Sequence, residues 1–137
     1  MKNPIIIETI IHAPIDKVWN FWNAPEHITK WNQASPDWHT PKAQNDLCVG
    51  GKFTTTMAAK NGSMSFDFWG IYDEVKPTEW IAYTMGDGRK ASIAFSTVGQ
   101  TTKIVQCFEP ESENPIELQQ AGWQAILNSF KSHTEKN

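Results

Sequence analysis

The sequence predicts an α+β fold in which a curved antiparallel sheet wraps one long C-terminal helix, with two short helices after the first strand. Three observations predict it. From Trp38 to Glu109 the apolar residues recur with a period of two, and turn residues interrupt them at short intervals. From Asn114 to about His133 the pattern is helical. Ahead of both, "NPIIIETIIHAP" is β-branched and runs into Pro14 and tryptophans at helical spacing. A sheet and a single amphipathic helix bury both apolar faces when the sheet curves around the helix.

The elements follow in order. Pro4 to about Ile11 reads as the first strand. Pro14 starts a helix, where a missing N–H costs nothing, and Val18, Trp19, Phe21 and Trp22 follow. Asn23 is expected to cap a second short helix, with Pro25 and Glu26 early, that ends near Trp31. "GGKFTTTMAAK" places Phe53, Thr55, Met57 and Ala59 on one face, and Asn61-Gly62 supplies a tight hairpin. "MSFDFWGIYDEV" alternates with Phe66, Phe68 and Gly70 together, and "WIAYTM" with Ile81, Tyr83 and Met85. After Gly86-Asp87-Gly88 come two more strands, "ASIAFSTV" and "TKIVQCFE", joined at Gly99-Gln100. In the last helix Asn114 is the expected cap, Pro115 the first position and Glu117 the closing acid. Ile116, Trp123, Ile126, Leu127 and Phe130 share one stripe, and Gly122 flanks it as a point of close backbone approach.

The totals bound the function. The chain has 137 residues, 39% hydrophobic and 20% charged, without linker, repeat or low-complexity segment, so residues 1–137 read as one domain. The net charge is −3 and the longest basic cluster is Arg89-Lys90, which argues against nucleic acid as a partner. Cys48 and Cys107 form no CxxC and read as small apolar fillers in a reducing compartment. No apolar stretch suits a signal peptide or a membrane insertion, so a cytoplasmic protein is expected.

Four stretches, in this order and spacing, resemble one family: "IIIETIIHAPIDKVWNFWNAPEHITKW", "VGGKF", "WGIYDEVKPTEWIAYT" and "GWQAILNSFKSH". The organisation resembles the helix-grip fold of the START/SRPBCC superfamily. Within it, the chain is similar to bacterial homologues of the C-terminal domain of the heat-shock-protein-90 ATPase activator. The activator itself carries a separate N-terminal domain, for which 137 residues leave no room. The superfamily includes lipid carriers, hormone receptors and cyclases, so the resemblance implies a fold and a pocket, not one activity. The two short helices are implied to plug one end of the grip.

Motifs that fix a chemistry are absent. There is no GxGxxG, P-loop or HExxH, and His12, His27, His39 and His133 share no metal spacing. No catalytic residue, metal or cofactor is expected. The implied pocket lies between the inner sheet face and the long helix. Alternation puts Phe53, Thr55, Met57, Phe66, Phe68, Tyr83, Ile93, Phe95, Ile104, Gln106 and Phe108 on that face, and the helix adds Gln119, Trp123, Ile126 and Phe130. Apolar walls with a few polar groups are the make-up of a small-molecule site, and equally of a filled core. A buried Gln needs a partner: backbone, side chain, water or ligand. Trp19 and Trp22 read as core under the plug, with Trp31 and Trp38 near the mouth. "NQASPDWHTPKAQND" reads as a mobile entrance loop, and His39 is its titratable group.

Three functions compete. The first is non-catalytic binding of a small hydrophobic or amphipathic molecule, a lipid for instance, oriented by Tyr83, Gln106 and Gln119. The second is a protein-interaction module tied to chaperones or the stress response, for which Trp69 and Ile71 on the outer face are the hint. The third is a cyclase- or hydratase-like enzyme using Tyr83 or His39.

Overall fold

The period-two stretch folds into six consecutive antiparallel strands, and the opening strand joins them as the seventh. A computed structural model describes residues 1–137. In chain order the elements are β1 (Ile5–Ile11), α1 (Ile15–Asn23), α2 (Pro25–Trp31), β2 (Trp38–Asn45), β3 (Lys52–Ala59), β4 (Ser65–Lys76), β5 (Trp80–Met85), β6 (Lys90–Val98), β7 (Thr101–Phe108) and α3 (Ile116–Lys136). The sheet order is β1-β7-β6-β5-β4-β3-β2, antiparallel throughout. This is the α+β helix-grip arrangement. Gly62, at φ +79°, takes the left-handed conformation that the β3–β4 hairpin requires.

Alternation decides which side chains face the helix. Ile5, Ile7 and Ile11 of β1 are buried, while Ile6 and Ile10 are exposed on the other face. In β7 Thr102, Ile104, Gln106 and Phe108 point inward, and in β6 Ala91, Ile93 and Phe95. From α3, Leu127 and Phe130 are fully buried. The rings of Trp22 and Trp31 each stand edge-on to Phe130 at 4.9 Å, so the two short helices close one end of the core. Trp19 does the same against Phe95 at 5.2 Å.

The exposed edge of β1 is occupied by α3. Gln124 Nε2 donates to the Glu8 carbonyl at 3.3 Å, Lys131 Nζ donates to the Ile10 carbonyl, and the His12 N–H donates to Glu135 at 2.8 Å. Side chains thus take up backbone groups that an uncovered edge would leave open to another chain.

Several local readings are corrected. Trp38–Asn45, expected as part of an entrance loop, is edge strand β2, with Pro41 inside a break in register between His39 and Lys42. An edge strand tolerates proline and polar residues because one side lacks a ladder partner. Asn23 does not cap α2: it ends α1, its Nδ2 donating to the Trp19 carbonyl at 2.9 Å. Asn114 does not cap α3 either, since Pro115 holds that position with no side-chain cap. Ile116 is exposed, and a Cβ at Gly122 would meet nothing within 4 Å. Cys48 is exposed, so it fills no core; both cysteines are free.

One contact ties α2 to α3 through protons. His27 Nδ1 and His133 Nε2 lie 2.9 Å apart, and the Phe21 ring stacks on His27 at 3.7 Å. Burial, then the charges of His27, Lys30 and Lys17, hold the His133 imidazole below its ordinary 6.5. The unfolded chain therefore takes this proton first as pH falls, and the folded state resists it. Stability contributed here is whole above about pH 6.5 and is lost on acidification. His133→Gln should flatten the fall in urea midpoint between about pH 7.5 and about pH 5.5. An unchanged slope would place the pH dependence in other groups.

Candidate functional site

The sheet does not close completely on α3. Between them lies a cavity of about 300 Å³ lined by 20 residues, 13 of them hydrophobic. That is the lower end of the range for small-molecule sites, roughly 300–1,000 Å³, so a ligand there would be small. Phe53 forms much of one wall. Its ring packs against Phe68 at 5.7 Å, Tyr72 at 5.4 Å and Tyr83 at 4.9 Å. Gly70 makes this possible: a Cβ there would stand 2.7 Å from the Phe53 ring. Trp123 of α3 stacks on Phe108 at 3.9 Å and meets Phe68 edge-on at 6.0 Å, forming the opposite wall.

The expected residues divide between this cavity and other places. Trp31, Phe53, Thr55, Met57, Phe66, Phe68, Tyr83, Gln106, Trp123 and Ile126 line it. Phe95, Phe108 and Phe130 are buried and do not, because they fill the core behind it. Gln119 is buried but its amide is already used. Its Nε2 donates to the Glu111 and Asn114 carbonyls at 3.0 and 2.8 Å, and its Oε1 accepts from the Glu111 N–H at 2.9 Å. Gln119 therefore clamps the loop ahead of α3 and cannot orient a molecule in the cavity. Trp38 is half-buried and packs edge-on to Phe66 at 5.9 Å, outside the lining. His39 is exposed on β2 and also outside it, since the register at Ala58 points it away.

Three buried polar side chains in the lining have no partner. Thr55, Tyr83 and Gln106 are each 6% exposed, and no protein group hydrogen-bonds their side chains. The one sealed and unpaired side-chain polar atom of the chain is Thr134 Oγ1, so the three are open to the cavity rather than shut in. Burial raises the Tyr83 phenol far above its ordinary value, with Tyr72 adding to the effect and Arg89 opposing it. Tyr83 is thereby a hydrogen-bond donor at neutral pH and a poor base.

Alternation alone missed several lining residues. Tyr72 also lines the cavity, its hydroxyl donating to Asn45 Oδ1 at 2.5 Å, while Asn45 Nδ2 donates to the Asn23 carbonyl at 2.8 Å. Tyr72 keeps the inward parity of Phe66, Phe68 and Gly70, and the β4 bulge changes the count only beyond it, between Tyr72 and Glu74. Trp22, assigned to core, lines the cavity as well as packing on Phe130. Arg89 is the one charged side chain in the lining. It sits two residues ahead of Ala91 on β6, with the parity of Ala91 and Ile93, so it points inward. Its signal was readable had the strand been extended back through Lys90.

On the outer face, Trp69 is 37% exposed, with the Lys52 ammonium 4.6 Å over its ring and Gly86 beneath it. Ile71 is half-buried.

A seven-stranded antiparallel sheet gripping a C-terminal helix, with a tryptophan-rich plug, invites comparison with known proteins. Residues 12–135 match the family described as Activator of Hsp90 ATPase homolog 1-like protein. The chain belongs to that family. A solved structure from Cytophaga hutchinsonii is 64% identical to the chain, with a TM-score of 0.85 over 98% of this chain and 94% of that one. An AHSA1-like protein from Aeromonas hydrophila is 40% identical, with a TM-score of 0.88 over 96% and 93%. A protein from Chromobacterium violaceum, 23% identical with a TM-score of 0.87 over 98% and 99%, shares the fold. No curated protein matches the chain. No helix is long and apolar enough to cross a membrane. The family's "VGGKF" stretch has a local cause here. Gly50 adopts φ +83°, and a Cβ at Gly51 would stand 2.1 Å from the Asp46 carbonyl oxygen.

Proposed function

We propose that this protein binds a small hydrophobic or amphipathic molecule, without catalysis, in the cavity between the sheet and α3. One observation carries the reading: an apolar cavity of about 300 Å³ into which Thr55, Tyr83 and Gln106 open without a protein partner. A core selected only for stability would fill that space and pair those groups, because an unmet buried polar group costs about 1–3 kcal/mol. Burial of the ligand's apolar surface supplies the affinity, at roughly 25 cal/mol per Å². The three polar groups set its orientation. The lining holds no Asp, Glu, Lys or His, and the raised Tyr83 phenol serves as donor, which favours binding over acid–base catalysis. A protein partner on the outer face is the second reading, resting on family membership, with the Lys52 ammonium lying over the Trp69 ring there.

The test has two parts. Amide and methyl NMR titration with fatty acids, flavonoids and small aromatics should give saturable shifts at Tyr83, Gln106 and Trp123. Silence at those positions across the set defeats the reading. In the free protein, Tyr83→Phe should leave stability unchanged or raise it by up to about 1 kcal/mol, since it removes a buried hydroxyl with no partner. The same change should weaken binding of hydroxyl- or carbonyl-bearing probes. A loss of about 1 kcal/mol or more in the urea melt of Tyr83→Phe would mean the hydroxyl serves the fold instead.

A further inference from the structure

We infer that the Arg89 end of the cavity is an anion subsite, and that the molecule bound there is a small organic anion with an apolar body, its carboxylate head meeting Arg89 and Tyr83 and its body running toward Gln106. This rests on the reading of the cavity as a ligand site and adds the ligand's charge and its direction of entry.

The sheet register arranges the three groups in a row. Tyr83 on β5 is level with Ala91 on β6, and Gln106 on β7 is level with Ile93. Arg89, just ahead of β6, continues the same parity one step beyond Ala91. The polar groups thus occupy consecutive inward levels, each step roughly 7 Å. Between them stands Ala91, whose methyl leaves the space that a larger side chain would take.

Arg89 is held rather than loose. Its Nε donates to Asp87 Oδ2 at 2.8 Å, and its Nη1 donates to the Glu109 carbonyl at 3.0 Å. Nη2 makes no hydrogen bond to protein. The side chain is 23% exposed, while its partner Asp87 is 54% exposed, on the solvent side of the pair. Glu111 is the other carboxylate that feels this guanidinium, and its oxygens are engaged with the Glu113 and Asn114 N–H groups. A carboxylate entering from the apolar side would meet the free guanidinium N–H groups and the Tyr83 hydroxyl, with the Gln106 amide on the next level. Both groups it meets donate, and no carboxylate in the lining repels it.

Decanoate and decanol share a chain and differ in the head, so their affinity ratio reads the subsite alone. At a pH where decanoate is ionised, calorimetric titration of the wild-type protein should favour decanoate by about tenfold. Arg89→Met should bring the ratio to about one. Asp87→Asn, which removes the carboxylate competing for the guanidinium, should raise it and serves even where Arg89→Met fails to fold. A wild-type ratio near one, or one that neither variant moves, overturns the anion subsite while decanol binding leaves the cavity reading standing. Binding of neither probe overturns both.

Discussion

Phe130→Ala should cost the protein about 3–5 kcal/mol of stability, read as a drop in urea midpoint at unchanged slope. The side chain is fully buried, and it is the shared floor under Trp22 and Trp31, each edge-on at 4.9 Å. Removing it deletes the ring's burial and leaves a void that two indoles cannot both collapse into. Trp31 is tethered, its Nε1 donating to the Phe21 carbonyl at 2.9 Å. The effect reaches the site, because both tryptophans line the cavity. A cost under about 1 kcal/mol would mean that the plug repacks freely and does not define the cavity's end.

Gly51→Ala should be comparably severe, at least about 3 kcal/mol. A Cβ there would stand 2.1 Å from the Asp46 carbonyl oxygen and 3.0 Å from that of Cys48. These are backbone atoms, so no change of rotamer relieves the contact. The loop is pinned on its other side as well. The Gly50 N–H donates to the Tyr72 carbonyl at 2.8 Å, and the Tyr72 N–H donates to the Gly51 carbonyl at 3.0 Å. Forcing the loop outward would pull on Tyr72 and on its bond to Asn45, both in the cavity wall. Urea denaturation measures the cost, and the Tyr72 ring resonances report the wall. A near-neutral Gly51→Ala would show that the loop yields without the sheet.

Strand parity made most of the inner face legible, because a half-buried antiparallel strand must alternate. Phe53, Thr55 and Met57 were placed by it, and so was Gln106. The same rule falls short at a strand's end. Arg89 lies between the Gly86-Asp87-Gly88 turn and the strand, yet it continues the inward set of Ala91 and Ile93, while Tyr72 continues that of Phe66, Phe68 and Gly70 ahead of the β4 bulge. β2 was hidden because an edge strand carrying Pro41 has little need of apolar alternation. Gln119 was placed rightly as buried, but its partners are the Glu111 and Asn114 backbone, whose approach no helical wheel encodes. Membership of the family was readable from four stretches. The polar groups left open in the cavity were not, since they depend on which side chains remain unpaired after folding.

The pairing of β1 with β7 sets a timetable for synthesis. Ile11 lies opposite Thr102 and Ile5 opposite Phe108, so the first strand made is joined to the last. Translation adds roughly 5–20 residues per second, which leaves β1 without its partner for roughly 5–20 s. The hairpins from β2 to β7 can form in that interval from neighbours in sequence. The isoleucine-rich β1 cannot, and α3, which covers its other edge, emerges later still. During those seconds the apolar side chains of Ile5–Ile11 have neither strand partner nor helix cover, and the emergence of α3 is the event that ends that exposure.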